Sequence, residues 1–296
     1  MSHDPAKMTV LRHFLTFVAQ YLPLQDARLA TLGGEGWEAE LWLSAGVRPE
    51  NGWLIERERE ASRRLIVESP YRYCPSLGNF PNVVRDAYGD TVGVDGFHLD
   101  LCGTLERSFK PFLPVIPLVI WRSTGRCLAI TVADMRRNRT LERFRAIRRC
   151  ADWYLGPELS RSLFQFLLRE QGGLPSLTRS DAPQTANPEK GARREFGFFF
   201  RLFRLLVGGG WRITALPDRI ERIVYVSGYG GRAFRMRTYL FHFGDLTTGS
   251  RAQLAQQFIT RWMESSLRIL QRSGVNGQIN ISAGNTTERS TPHGTV

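Results

Sequence analysis

The stretch from Asp26 to Glu60 constrains this chain more than any other. An apolar segment, Ala27 to Leu32, runs into Gly33, Gly34 and Gly36; an amphipathic segment follows to Gly46, and a second apolar strand, Gly52 to Ile55, ends in Glu56. The order predicts a strand, a glycine turn, a helix and a strand ending in an acid. In a parallel sheet such a unit binds a nucleoside, because the glycines let the backbone approach the ligand and the strand-end carboxylate accepts from both ribose hydroxyls. The same pattern also serves as a purely structural crossover.

Further strands continue the pattern. Asn82 to Arg85 reads as a short strand ending at Asp86, after a basic helix (Glu58 to Val67) and a proline-bearing loop (Ser69 to Leu77). Asp86 is then either an acceptor for an adenine amino group or a turn residue. Val94 to Gly103 is the fourth strand, whose carboxyl end carries Asp100, Leu101, Cys102 and Gly103. Ligands of open α/β sheets bind at that end, although Asp100 could equally cap a helix opening near Leu105. His98 shares its face with Asp100 and reads as a packed core histidine. Arg126 to Asp134 is continuously apolar, as a buried parallel strand is, and Arg136, Arg137 and Arg139 follow at once. Those arginines belong either to the carboxyl rim, facing phosphates, or to a solvated surface; Arg143, Arg145, Arg148 and Arg149 lie on the helix beyond.

Around this centre, Met8 to Leu22 has helical spacing and covers the sheet, with Lys7 and Arg12 as solvated charges that could also face a substrate. Helices are expected over Glu158 to Glu170 and Glu195 to Val207, separated by a mobile loop from Gly172 to Ala192. Two strand-like runs, Arg219 to Ser227 and Phe234 to Phe243, flank a glycine-rich turn and predict an antiparallel hairpin. A helix from Gln253 to Gln271 precedes a polar tail, Ser273 to Val296, expected to be disordered.

Composition narrows the function classes. The net charge of +12, from 40 basic and 28 acidic residues, favours polyanionic partners such as RNA or DNA. No apolar run reaches the ~18 residues of a membrane span, and the N-terminus does not read as a signal peptide, so a cytoplasmic protein is expected. Four separated cysteines signal neither a metal site nor a disulfide framework.

The βα repeats, the glycine turn after strand one, the acid after strand two, the polar end of strand four and the closing hairpin together resemble the class I, Rossmann-like S-adenosylmethionine-dependent methyltransferases. The resemblance implies an α/β fold: a doubly wound, mostly parallel sheet with a closing antiparallel hairpin, an N-terminal helix and a helical insertion after strand five. It implies one domain over 1–272, with the insertion at 157–194 and the tail at 273–296. It also implies S-adenosylmethionine as cofactor, held by Gly33, Gly34, Gly36, Glu56 and Asp86, with Asp100 beside the transferred methyl. Thr31 and Leu32 stand where the family usually has an acid before the glycines, and the fourth-strand motif reads DLCG rather than the Asp-Pro-Pro-Tyr type.

The expected activity is methyl transfer to a nucleic-acid base, with Asp100 orienting an amine, or Cys102 adding to a pyrimidine ring, and Arg136, Arg137 and Arg139 binding substrate. The alternatives are a methyltransferase-like nucleic-acid-binding module without catalysis and a nucleotide-dependent oxidoreductase on a related sheet.

Overall fold

A computed structural model describes residues 4–32, 36–56, 59–88, 93–101, 118–119, 125–133, 140–174, 187–207, 215–229, 232–244, 249–272 and 279–283. Among the described residues nine strands form one sheet: β1 (Leu29–Leu32), β2 (Gly52–Ile55), β3 (Arg72–Cys74), β4 (Gly96–Asp100), β5 (Cys127–Ala133), β6 (Pro217–Tyr229), β7 (Arg232–Phe243), β8 (Ser266–Arg272) and β9 (Ile279–Ala283), in the order β3-β2-β1-β4-β5-β7-β6-β8-β9. The pairs from β3 through β5 are all parallel. Strand β7 then runs antiparallel to both β5 and β6, so that β6 points the same way as the first five strands. This is the doubly wound order with a reversed strand inserted before the sixth. The expected hairpin is therefore present, and it closes the parallel half of the sheet.

Helices cover both faces. On one lie α1 (Pro5–Val18), α2 (Trp37–Ser44) and α3 (Arg59–Glu68); on the other lie α4 (Phe80–Tyr88), α5 (Thr140–Leu155), α6 (Pro157–Gly173), α7 (Pro188–Val207) and α8 (Arg251–Glu264). Alternation along β4 assigns the layers: Phe97 and Leu99 join the larger core with α4 to α8, while His98 faces α1 at a 5.7 Å ring separation from Phe14. Asp4 caps helix α1, its carboxylate accepting from the Ala6 N–H at 2.9 Å, and the helix buries Val10, Leu11, Phe14, Leu15, Phe17 and Val18.

Buried charge ties the helical layer to the hairpin. Arg222 of β6, 2% exposed, donates to both oxygens of Glu170 on α6 at 2.6 Å and to Glu195 on α7 at 2.9 Å. Arg237 of β7 also bonds Glu195, and it reaches Gln171 at 2.6 Å. Burial alone would lower the Arg222 pKa, but Glu170 and Glu195 outweigh it and the guanidinium is held above its ordinary value. Two arginines and two glutamates compensate one another in the interior, which is the condition under which buried charge is tolerated.

The structure corrects several expected elements. Asn82 to Arg85 is not a strand but part of α4, because Phe80 and Val84 bury at helical spacing. The third strand is Arg72–Cys74, inside the stretch read as a loop. Helix α7 starts at Pro188, so the end of the expected Gly172 to Ala192 loop is helical. The last helix stops at Glu264 and the chain turns at Ser265 into β8, where a longer helix was expected. Strand β9 pairs antiparallel with β8 within the tail expected to be disordered.

Candidate active site

Parallel register brings two acids to one edge. Leu32 pairs with Ile55 and Thr31 with His98, so Glu56, just beyond β2, and Asp100, the last residue of β4, stand at the same level on the carboxyl side. Glu56 is anchored through its backbone: its N–H donates to Cys74 O at 3.1 Å and its carbonyl accepts from the Tyr73 hydroxyl at 2.9 Å. Its side chain is half-buried. Between β1 and α2, Gly36 has φ 84°, a left-handed conformation in which a side chain would be strained. A glycine at positive φ after one strand and an acid at the end of the adjacent strand suit the nucleoside half of a cofactor.

Asp100 has a partner from the far end of the chain. Lys7 Nζ, on the first turns of α1, lies 2.6 Å from Asp100 Oδ2, and the two side chains are 21% and 15% exposed. Lys7 is thus not the solvated charge expected of it. Asp100 is held by a tertiary ion pair with Lys7, and the helix it could cap, opening near Leu105, lies outside the described residues.

Beneath that pair runs a buried polar chain. Thr31 Oγ1 lies 3.3 Å from His98 Nδ1, His98 Nε2 lies 3.3 Å from Thr131 Oγ1, and Thr131 bonds Thr238 at 2.7 Å. The chain crosses β1, β4, β5 and β7, and it satisfies both ring nitrogens with hydroxyls. Burial pushes His98 down to about 4, Asp100 pulling it upward and Lys7 downward by lesser amounts. His98 is therefore a neutral core histidine, as its pattern suggested.

That depression has a sign. The unfolded chain takes up a proton near pH 6.5 that the folded chain refuses until about pH 4, so His98 contributes stability that is complete above pH 6.5 and is lost as pH falls toward 4. Denaturant midpoints should show wild type losing up to about 1.4 kcal/mol per pH unit across that window relative to His98→Gln. A stability difference between the two proteins that does not change with pH would contradict a buried neutral imidazole.

Other expected residues fare differently. Asp86 falls within α4 rather than at a strand end; the third strand ends instead at Cys74, whose thiol donates to Ser76 O at 3.1 Å. Gly33, Gly34, Cys102, Arg136, Arg137 and Arg139 lie outside the described residues. Among the described residues no group of three His, Cys, Asp or Glu side chains is arranged to hold a metal, and no helix is long and apolar enough to cross a membrane. Lys7 was legible only as a charge near the start of α1, for nothing in the sequence signals a partner so far away.

The sheet decides the class of fold. With β7 reversed between β5 and β6, it resembles the class I S-adenosylmethionine-dependent methyltransferases rather than nicotinamide-binding sheets. Its fold is Rossmann-like. No protein-family model and no curated protein sequence matches the chain. Among solved structures it is similar to a proposed RNA methyltransferase from Pyrococcus horikoshii, at 10% identity over 83% of this chain and 88% of that one, with a TM-score of 0.40. It is similar also to the O-methyltransferase from Bacillus cereus solved with SAH, at 10% identity, 81% and 82% coverage and a TM-score of 0.37. A third is the O-methyltransferase of tomaymycin synthesis from Streptomyces achromogenes, solved with SAM, at 15% identity, 79% and 80% coverage and a TM-score of 0.35. These likenesses are too distant to transfer residues; the strand order carries the fold.

Proposed function

We propose that this protein is an S-adenosylmethionine-dependent methyltransferase acting on nucleic acid. The observation that carries the reading is the shared level of Glu56 and Asp100 on a doubly wound sheet closed by a reversed β7. When bound, S-adenosylmethionine supplies an activated methyl group, so the protein's task is to position the acceptor. In this reading Glu56 accepts from the ribose hydroxyls, and Gly36, with Gly33 and Gly34, lets the backbone come close to the nucleoside. Asp100 orients an acceptor amine and takes up its proton. Lys7 aligns that carboxylate, and Arg136, Arg137 and Arg139 meet substrate phosphates. Asp86 has no support from strand geometry, and its part in adenine binding would need α4 itself to approach the base. Cys102 remains an alternative nucleophile. A cytoplasmic site of action belongs to the same proposal.

One observation favours a second reading. The Asp100 carboxylate is already engaged by Lys7, as it would be in a methyltransferase-like module that binds nucleic acid without turnover. Transfer of a labelled methyl group from S-adenosylmethionine to total RNA, DNA or protein separates the two. Label in RNA or DNA supports the first reading. Tight nucleic-acid binding with no transfer to any acceptor supports the second, and label in protein alone removes nucleic acid as substrate.

A further inference from the structure

The end of α5 builds a surface of alternating aromatic and cationic side chains. Trp153 is 67% exposed, an unusual state for so large an apolar ring. The Arg251 guanidinium lies 4.7 Å from its ring centroid and 5.0 Å from that of Tyr154, while Arg204 lies 5.3 Å from the Tyr154 ring. Trp153 and Tyr154 meet edge to face at 4.6 Å. Three separate elements, α5, α7 and α8, therefore converge on one exposed patch.

The two arginines are held by rings rather than acids. Among the described residues neither Arg204 nor Arg251 has a carboxylate partner, and both are exposed. Stacking of a guanidinium on an aromatic face leaves its in-plane N–H donors directed outward, the geometry that matches a phosphate. Arg145 and Arg149 continue the patch: with Trp153 they recur every four residues on the exposed side of α5. That helix has 16 residues and so is about 24 Å long.

The track has a direction. Phe243 N–H donates to Arg126 O at 3.0 Å, so β7 ends beside the start of β5, and α8 opens soon afterwards with Arg251. Trp153 is therefore at the amino edge of the sheet, and α5 runs from it back toward the carboxyl edge where β5 ends. The Arg145 and Arg149 positions lie between the two.

We propose that Trp153, Arg204 and Arg251, continued by Arg149 and Arg145, form a docking track for single-stranded nucleic acid, with a base stacked on Trp153 and phosphates on the arginines. Uncommitted positive charge selects a polyanion, and a flat exposed ring among guanidiniums selects one that carries bases. An acidic protein would use the charges and leave the indole without a matching partner. The proposal rests on the nucleic-acid part of the reading above but not on catalysis: the strand is held at one edge while its acceptor base reaches the other.

The test is binding of a fluorescein-labelled single-stranded RNA oligonucleotide of mixed sequence to the full chain, followed by anisotropy across a salt series. Trp153→Ala, an exposed substitution that leaves the core intact, should weaken binding about fivefold or more, and Trp153→Phe should restore most of it. Arg204→Gln and Arg251→Gln should each flatten the slope of log affinity against log salt by about 0.7. S-adenosylmethionine affinity should be the same in all four variants. Oligonucleotide binding by wild type that none of the variants weakens overturns the track while leaving a nucleic-acid substrate in place. Failure of wild type to bind RNA or DNA at all overturns both. Polyglutamate competing as well as RNA, with Trp153→Ala indifferent, makes the patch an acidic-protein surface, and a dimer lost in Trp153→Ala makes it a contact between copies; either overturns the proposal.

Discussion

Asp100→Asn should lower methyl-transfer turnover about a hundredfold or more while S-adenosylmethionine affinity barely changes. Asparagine keeps the shape and one acceptor oxygen, but it loses the negative charge that pairs with Lys7 at 2.6 Å and the basic oxygen that would take the acceptor's proton. Single-turnover rates on the acceptor found by labelling are the measurement, and calorimetry with the cofactor is its control. Lys7→Met supplies the companion result. If Lys7 only aligns the carboxylate, Lys7→Met should slow turnover less than Asp100→Asn does, and the double variant should lose less than the sum of the two, because both act through one contact. Near wild-type turnover in Asp100→Asn would remove Asp100 from the reaction and leave the ion pair as a tie between α1 and β4.

The second large effect is on cofactor binding. Glu56→Ala should weaken S-adenosylmethionine binding a hundredfold or more by calorimetry. Two charge-assisted hydrogen bonds from a ribose diol are worth about 1.5 to 3 kcal/mol each, and alanine removes both. Folding should survive, because the Glu56 backbone is held by Cys74 and Tyr73 independently of its side chain. An unchanged affinity in a folded variant would mean that the ribose is bound elsewhere. Glu56→Gln, which retains acceptor capacity without charge, should fall between the two.

Much of this architecture follows from local pattern. Strand β2 has the bounds that its apolar run and terminal glutamate implied, β5 is buried on both faces as a continuous apolar run requires, and the two runs that flank the glycines pair as an antiparallel hairpin. Periodicity acts over a few residues, and these elements bury surfaces that their own sequences define. The segment containing Asp86 shows the limit of such reading. Two adjacent valines suit a short strand or one turn of helix, and only the core that receives Phe80 and Val84 decided for helix. Strand β3, three residues long beside Pro75, carries too little pattern to be seen without its partner β2. In the same way Ser266 to Arg272 could extend α8 until pairing with β6 drew it into the sheet.

What the sequence by itself determined was the supply of chemistry: a glycine turn, an acid after one strand, an acid after another, and an excess of positive charge. What the tertiary structure decided was which of these meet. The level shared by Glu56 and Asp100 is a property of register between strands, and the contact between Lys7 and Asp100 joins residues 93 positions apart. The Trp153 ring likewise meets Arg251, and its neighbour Tyr154 meets Arg204, from two helices farther along the chain. Propensity and periodicity are set by neighbours in sequence, whereas ion pairs and stacked rings form between groups that packing brings together, and packing is a property of the whole chain.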